Sequence, residues 1–408
     1  MAAFSGGRAL FFARSLCFPR KTGGPGGQRS RDAILAELQK LGYPASQERF
    51  AIQWDPSLFL KGIVAFILLL LSVAYVVSRN HPFFASLLML APCAMIFSLG
   101  HAWNALISSS TLPLKPRSYP GINLLASLTP GRTGRKQILL VAHYDSKAQS
   151  LSLANRSLLW LCLFLLCLIT SLLYLSVSFP GFPLASSPTR EEMAFLSAVT
   201  ALCALMVYKN KTFDISPGAL DDASGVGVLL ALAEAIKEGP PFETSVNLLI
   251  TDAEEDGLLG AWSHVHSHRE ELSSGNTCIL NLDGVGIGGR LMFLGGGRSE
   301  LATRLLALAR EHHIPLRRCL FLPGVMMDHI PFRWKGLEAA SLFSLSSKSF
   351  RIHTPKDTPD LLEQKGLEEA GGLVLALIRQ IDQAGNRIGS LAPTGKAETS
   401  DFGGELSR

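Results

Sequence analysis

Four long apolar segments constrain the fold of this 408-residue chain more than any other feature of its sequence. A helix needs about 20 apolar residues to cross a bilayer, and residues 58–77, 83–102 and 158–179 are long enough to do so. Residues 193–208 form a shorter segment. We interpret it as a fourth crossing, because a chain that enters the bilayer in the third segment must return before the polar motifs that follow. The sequence therefore predicts two transmembrane hairpins, over residues 57–104 and 157–208.

The composition supports this interpretation. Only 17% of the residues are charged and 48% are apolar, which is less charge than typical soluble domains carry. The formal net charge of +5 is small for this length and argues against a nucleic-acid partner. The seven cysteines show no C-x-x-C spacing, so they indicate neither a disulfide framework nor a cysteine zinc site. These features favour a membrane protein, with the lipid bilayer as one of its partners.

The two ends of the chain differ from the rest. Residues 1–31 contain six basic residues and no acidic one, which is compatible with a transit peptide, a basic cytoplasmic tail or a misassigned start codon. We expect a tail, followed by an amphipathic helix, and treat residues 1–56 as one N-terminal region. Residues 386–408 are polar and rich in small residues, so we expect a disordered tail there.

Outside the hairpins, short apolar runs alternate with segments of helical periodicity. The runs "QILLVA", "SVNLLIT", "TCILNL", "RLMFL" and "AASLFSL" have the length and composition of buried strands. Strands that alternate with helices predict an α/β fold, with a mostly parallel or mixed sheet flanked by helices. In such sheets ligands bind beyond the carboxyl ends of the strands.

Polar side chains follow these strand-like runs or precede a helix, at the places where a site is expected. They are His143, Asp145, Asp221, Asp222, Glu254, Glu255, Asp283 and His353. Each has an ordinary alternative explanation, since an aspartate can cap a helix, adjacent glutamates can lie in a solvated loop, and a single histidine can be structural. Carboxylates that converge on one cleft raise each other's pKa unless cations neutralise them. Two histidines and three carboxylates suit Zn²⁺, with Mn²⁺ and Co²⁺ as alternatives.

Five motifs in this order, "HYDS", "GALDDASG", "DAEEDGLLG", "NLDG" and "HTPKDT", resemble those of the M28 zinc aminopeptidases. The resemblance covers residues 119–150 and 212–385, and it implies that they form a catalytic domain. It also implies that His143 and Asp283 bind one zinc ion. A second zinc ion would be bound by Glu255 and His353.

The same resemblance assigns the remaining polar residues of these motifs. Asp221 would bridge the two zinc ions, with Asp222 as the alternative. Glu254 would be the general base that activates water. Asp145 would be the carboxylate that fixes the tautomer of His143.

Two further features extend or depart from the family pattern. The segment "MMDHIPF" matches a family segment that lines the substrate pocket, so Asp328 and His329 are expected to bind substrate, although a polar loop before a helix would give the same pattern. The hairpin over residues 157–208 departs from soluble members, and it is expected to hold the catalytic mouth near the bilayer surface.

Two motifs have weaker interpretations. "GVGIGG" fits a dinucleotide-binding pattern, but a strand-like run follows it where a helix is needed. "HVHSH" places His264 and His268 four residues apart, where they could hold a metal ion. We favour an exposed helix face for this segment.

The charges beside the spans predict sidedness. An even number of spans puts the N-terminus and the catalytic domain on one side, where seven lysines and arginines flank the spans against two on the other. The positive-inside rule then places the catalytic domain in the cytoplasm.

The predicted function is that of a membrane-anchored zinc exopeptidase. It would hydrolyse the N-terminal peptide bond of peptides with a free N-terminus, using two Zn²⁺ ions. A glutaminyl cyclase-like acyltransferase with a single zinc ion and a non-catalytic M28-like interaction module are the alternatives.

Overall fold

The structure of the protein is a computed structural model. It describes residues 3–52, 56–108, 118–129, 136–179, 188–272, 276–288, 290–295, 297, 299–320, 322 and 325–390.

An eight-stranded mixed sheet lies at the centre of the α/β domain, in the order β1-β2-β6-β3-β7-β10-β8-β9. The strands are β1 (Ala45–Phe50), β2 (Gly121–Thr129), β3 (Gln137–His143), β6 (Ser245–Thr251), β7 (Thr277–Leu282), β8 (Arg290–Gly295), β9 (Leu316–Cys319) and β10 (Glu338–Leu345). The four strands β6, β3, β7 and β10 run parallel to one another. All six residues of β7 are buried, as expected of a central strand covered on both faces. The predicted fold class is confirmed.

Helices cover both faces of this sheet. Helices α1 (Gly6–Ser15), α7 (Ser224–Glu238) and α12 (Gln364–Ser390) contact one another on one face. On the other face α8 (Leu259–Ser267) contacts α11 (His329–Trp334). The remaining helices of the domain are α2 (Pro25–Lys40), α9 (Arg269–Leu272) and α10 (Glu300–Glu311).

The N-terminal segment belongs to this domain, where the sequence led us to expect a basic tail. Ala9, Phe12 and Leu16 are buried on one face of α1, at the i, i+3 and i+7 spacing of an amphipathic helix. A Cβ atom on Gly227 of α7 would lie 2.6 Å from the carbonyl oxygen of Ala9, so only glycine allows the two helices to pack this closely. Strand β1 extends the sheet by pairing with β2.

Four apolar helices pack against one another apart from the sheet. They are α3 (Pro56–Val77), α4 (Pro82–Ser108), α5 (Leu153–Ser178) and α6 (Arg190–Tyr208). Among the described residues, Ser57–Val77, Leu153–Ser178 and Arg190–Tyr208 are long and apolar enough to cross a membrane, and Pro82–Ser98 is a shorter apolar helix. Large apolar side chains point outward from the helices, and Phe97 is 85% exposed and Phe195 72% exposed.

The chain leaves the α/β domain to form the second pair of apolar helices and re-enters it next to the point where it left. Strands β4 (Ala148–Gln149) and β5 (Thr212–Phe213) pair antiparallel. The Ser150 amide nitrogen also donates to the Lys211 carbonyl oxygen at 2.9 Å. The two ends of the α5–α6 hairpin therefore lie side by side, between the strand that ends at His143 and the loop that carries Asp221.

Candidate metal centre

The candidate site lies beyond the carboxyl ends of neighbouring parallel strands. His143 is the last residue of β3, Asp283 follows β7, and Glu254 and Glu255 lie in the loop after β6. Because β6, β3 and β7 are adjacent in the sheet, these side chains converge on one edge. This is the position that the α/β fold favours for a ligand.

Asp221 lies between the two predicted histidines. Its Oδ1 atom is 3.0 Å from Nε2 of His143, and its Oδ2 atom is 3.0 Å from Nε2 of His353. His353 Nε2 also lies 2.9 Å from Oε2 of Glu255, and His143 Nε2 lies 4.0 Å from Oδ1 of Asp283. The five predicted ligands thus form two three-residue groups that share Asp221, and both groups have the spacing needed to hold a metal ion.

Asp222 has a different environment from Asp221. Its Oδ1 atom accepts hydrogen bonds from the amides of Gly225 at 2.9 Å and Gly284 at 3.1 Å. Its Oδ2 atom accepts one from the His143 amide at 3.3 Å. Asp222 therefore braces three backbone segments around the cluster and belongs to neither three-residue group.

Asp145 contacts both the loop that carries Glu254 and Glu255 and the ring of His143. Its carboxylate accepts hydrogen bonds from the backbone amides of Glu254 at 3.2 Å and Glu255 at 3.1 Å. Its Oδ1 atom also lies 3.3 Å from Nδ1 of His143. A carboxylate at this nitrogen holds the proton on Nδ1 and leaves Nε2 free to bind a metal. The backbone carbonyl oxygen of Asp145 lies 3.2 Å from the same nitrogen, and the role of Asp145 in orienting His143 stays a prediction.

Glu254 is nearly buried, with Oε2 3.9 Å from Nε2 of His143. Burial raises the pKa of Glu254 well above its usual range, and the charges of Asp283, Glu255 and Asp328 act in the same direction. The opposite charge of His143 lowers it in part. Burial therefore makes the Glu254 carboxylate a stronger base than an exposed glutamate, which suits a general base.

The electrostatics of the cluster fit a bound cation. Burial disfavours a charged His143 ring, yet the carboxylates of Glu254, Asp145 and Asp221 outweigh burial and raise its pKa well above the ordinary value. The His143 Nε2 atom is buried and lies 3.0 Å from Oδ1 of Asp221. So much buried negative charge needs protons or metal ions to compensate it, and the oxygen and imidazole nitrogen donors are the set that Zn²⁺ binds.

Several residues that support the site were missed in the sequence. Asp357 accepts hydrogen bonds from the amides of Leu220 at 2.7 Å and Asp221 at 3.1 Å, and burial raises its pKa to about 7. It lies in the same "HTPKDT" motif as His353, which could have indicated its role. Lys147 Nζ lies 3.0 Å from Oε2 of Glu255. Its position four residues after His143 was visible in the sequence, but its partner was not.

The two residues expected to bind substrate are buried. Asp328 Oδ2 accepts a hydrogen bond from Thr251 Oγ1 at 2.5 Å. His329 Nδ1 lies 2.6 Å from Ser341 Oγ, and burial lowers the pKa of His329 to about 3. The charge of Asp328 helps to raise the pKa of Glu254. His329 instead contacts Ser341 of β10. A substrate-binding role for either residue stays a prediction.

Sequence comparisons find peptidases among the proteins similar to this chain. Residues 206–378 match the profile of Peptidase family M28. Aminopeptidase YwaD of Bacillus subtilis (strain 168) is 26% identical over 209 residues, which are 48% of this chain and 46% of that protein. Endoplasmic reticulum metallopeptidase 1 of Mus musculus is 25% identical over 177 residues, which are 41% of this chain and 19% of that protein. The chain thus spans less than half the length of these relatives.

Solved structures show the same fold. A zinc aminopeptidase from Bacillus subtilis superposes with a TM-score of 0.56 at 15% identity, over 93% of this chain and 96% of that one. A Porphyromonas gingivalis glutaminyl cyclase gives a TM-score of 0.52 at 16% identity, over 92% of this chain and 98% of that one. The matching profile and relatives thus show that residues 206–378 of this chain are similar to peptidase family M28, in agreement with the motif order seen in the sequence.

Proposed function

We propose that the protein is a membrane-anchored, zinc-dependent exopeptidase that hydrolyses the N-terminal peptide bond of peptides. The observation that carries this proposal is the position of Asp221, whose two carboxylate oxygens each lie 3.0 Å from Nε2 of a different buried histidine. A carboxylate placed in this way suits two metal ions that share one ligand. The names of relatives that include an aminopeptidase and a metallopeptidase support the same reaction class.

The residues divide into two sets of ligands. His143 and Asp283 would hold one zinc ion, Glu255 and His353 would hold the other, and Asp221 would contact both. Zn²⁺ bound there supplies a Lewis acid for the peptide carbonyl and lowers the pKa of water.

The chain's own groups handle the proton. Glu254 would take a proton from the attacking water and pass it to the leaving amine, because its pKa is raised by burial and its side chain faces the cluster. Asp145 keeps Glu254 and Glu255 in place through their backbone amides. A general base that is positioned in this way contributes about 10²- to 10⁴-fold to the rate.

A glutaminyl cyclase-like reaction with a single zinc ion is the second candidate, because glutaminyl cyclases share the fold. Two groups of potential ligands, each with its own histidine, favour two ions over one. The complete set of ligands argues against a non-catalytic interaction module.

The four apolar helices would anchor the enzyme in the bilayer. Their outward apolar side chains fit lipid better than water. We infer that the catalytic domain is cytoplasmic, from the excess of basic residues on its side of the spans. A cysteine introduced at the exposed position Glu311, in a chain whose Cys319 is replaced by serine, tests this. In sealed microsomes a membrane-impermeant thiol reagent should label it without detergent, and labelling only after detergent would reverse the assignment.

The reaction is tested with Glu254→Gln, which keeps the backbone contacts of the loop. Hydrolysis of peptides with a free N-terminus should fall at least about 100-fold, while the zinc content should equal that of the wild type. The same substitution at the exposed Glu311 is the matched control and should change neither.

Substrate choice separates the remaining candidates. We expect cleavage of free peptides and none of N-blocked peptides. Full activity of Glu254→Gln would refute the mechanism, and cleavage of blocked peptides would refute the aminopeptidase assignment. Release of ammonia from peptides with N-terminal glutamine, without hydrolysis, would favour the cyclase.

A further inference from the structure

A second cluster of side chains that could bind a metal ion lies away from the site around Asp221. His264 lies on α8, His268 directly follows the last residue of that helix, and both lie close to Glu48 of β1. We expected an exposed helix face at "HVHSH", but His264 is only 4% exposed. The reason is that β1 pairs at the edge of the sheet, beside α8, and covers this face of the helix.

The cluster has the distances of a potential metal site. Nδ1 of His264 lies 2.9 Å from Oε2 of Glu48, and Nε2 of His268 lies 3.5 Å from Oε1 of Glu48. The two imidazole rings are 4.4 Å apart between centroids. One potential ligand atom from each residue lies within 4.8 Å of the other two. A single ion can therefore reach all three side chains with small rotations.

Two further contacts point to a ligand at this place. Nδ1 of His268 lies 3.1 Å from Oε2 of Glu271, so a carboxylate can hold the Nδ1 proton and turn Nε2 toward Glu48. This is the arrangement that orients metal-binding histidines in proteins. The Oε1 atom of Glu48 is buried and accepts no hydrogen bond from any described residue. A buried carboxylate oxygen without such a bond is costly unless a cation contacts it.

The cluster is separate from the site around Asp221. Glu48 lies on the edge strand β1, three strand intervals from β3 and its His143. At about 4.8 Å per interval this is a separation of roughly 14 Å across the sheet. The two clusters share no residue, so this inference does not depend on the proposed function.

We propose that Glu48, His264 and His268 form an additional Zn²⁺ site. Two imidazoles and one carboxylate are a set that zinc binds in proteins, with a position left for water. The ion would join the edge strand β1 to α8, and α8 directly follows the loop that carries Glu254 and Glu255. The N-terminal region would thereby be fastened to the segment beside the catalytic loop.

The test is the zinc content and thermal stability of the full chain, purified in detergent, stripped with a chelator and reloaded with Zn²⁺. Two variants remove ligands: the double substitution His264→Gln/His268→Gln, and Glu48→Gln, which keeps the side-chain volume. His266→Gln is the matched control, because His266 lies on the same helix and is exposed. Both ligand variants should bind one zinc fewer per chain than the wild type and the control. Reloading with zinc should also raise their unfolding temperature less.

Two outcomes would overturn the proposal. Equal zinc content in all four proteins would mean that the three residues form only an ion-pair cluster. Loss of all zinc from both ligand variants would mean that the cluster influences metal binding only through the fold. Retention of peptide hydrolysis in Glu48→Gln, together with the loss of one zinc, would show that the two sites act separately.

Discussion

Arg20 donates a hydrogen bond from Nε to the carbonyl oxygen of Tyr144 at 2.8 Å, across 124 residues of sequence. A second nitrogen of the same guanidinium, Nη2, donates to the carbonyl oxygen of Gly218, also at 2.8 Å. Tyr144 follows His143, and Gly218 precedes Asp221. One buried side chain from the N-terminal segment thus joins the two loops that carry these predicted ligands.

Replacing Arg20 should therefore weaken both the fold and the metal site. In Arg20→Gln several buried carbonyl oxygens lose their donor, and each such loss costs about 1 to 3 kcal/mol. We expect a lower unfolding temperature and a zinc affinity reduced at least tenfold, measured by competition with a chelator. Arg14→Gln is the control, because Arg14 is exposed on α1 and should tolerate the change. Equal zinc affinity in both variants would show that Arg20 does not support the metal site.

The α5–α6 hairpin should be dispensable for metal binding. Because β4 and β5 pair directly, a two-residue Asn-Gly turn between Ser150 and Lys211 can replace the helices, since such turns fit antiparallel strands. The shortened chain should keep its zinc and hydrolyse soluble peptides within about tenfold of the wild-type rate. Zinc loss on shortening would show that the hairpin supports the cluster directly.

A single substitution separates the effect of removing the whole hairpin from the effect of one contact that the hairpin makes with the site. Arg156 lies near the start of α5, with Nη2 3.4 Å from Nδ1 of His353. Arg156→Gln in the full-length chain removes this contact and keeps the helices. A defect shared by the shortened chain and Arg156→Gln would be assigned to this contact.

His329 should make the protein less stable in acid. Burial lowers its folded pKa from 6.5 to about 3, with a smaller contribution from the charge of Arg333. Below pH 6.5 the unfolded chain takes up a proton on His329 that the folded protein does not bind. The free energy of unfolding therefore decreases as the pH falls from 6.5 towards 3. The loss is about 1.4 kcal/mol per pH unit in this range.

The contribution of His329 is measured by comparing pH dependences. His329→Gln cannot take up this proton, so its unfolding temperature should fall less steeply between pH 6.5 and pH 4.5 than that of the wild type. Other titrating groups are common to both proteins and affect both curves. Parallel curves would show that His329 does not control acid stability.

The central strands and the ligand cluster could be predicted because both leave local signals. Strands such as β3 and β7 are continuous apolar runs, and His143 and Asp283 stand where those runs end. The fold then brings the ends of parallel neighbours together. Edge strand β1, "ASQERF", gives no such signal, because its four central residues are all polar or charged and the strand forms by pairing with β2.

The supporting contacts of the site could not be predicted for a different reason. Arg20 bonds to backbone carbonyl oxygens, and any residue type can supply a carbonyl, so the partners leave no pattern in the sequence. The six basic residues among residues 1–31 suggest a tail. Charge alone does not reveal that one face of α1 is apolar and buried. The apolar spacing of Ala9, Phe12 and Leu16 was the signal that could have corrected this.

The shared position of Asp221 is tested most directly by counting zinc ions in Asp221→Ala. If this carboxylate contacts two ions, the variant should bind two fewer zinc ions per chain than the wild type when both are reloaded and analysed side by side. Glu311→Ala, at an exposed position, is the control and should bind as many as the wild type. An Asp221→Ala protein that keeps its fold and its full zinc content, or loses a single ion, would contradict the account.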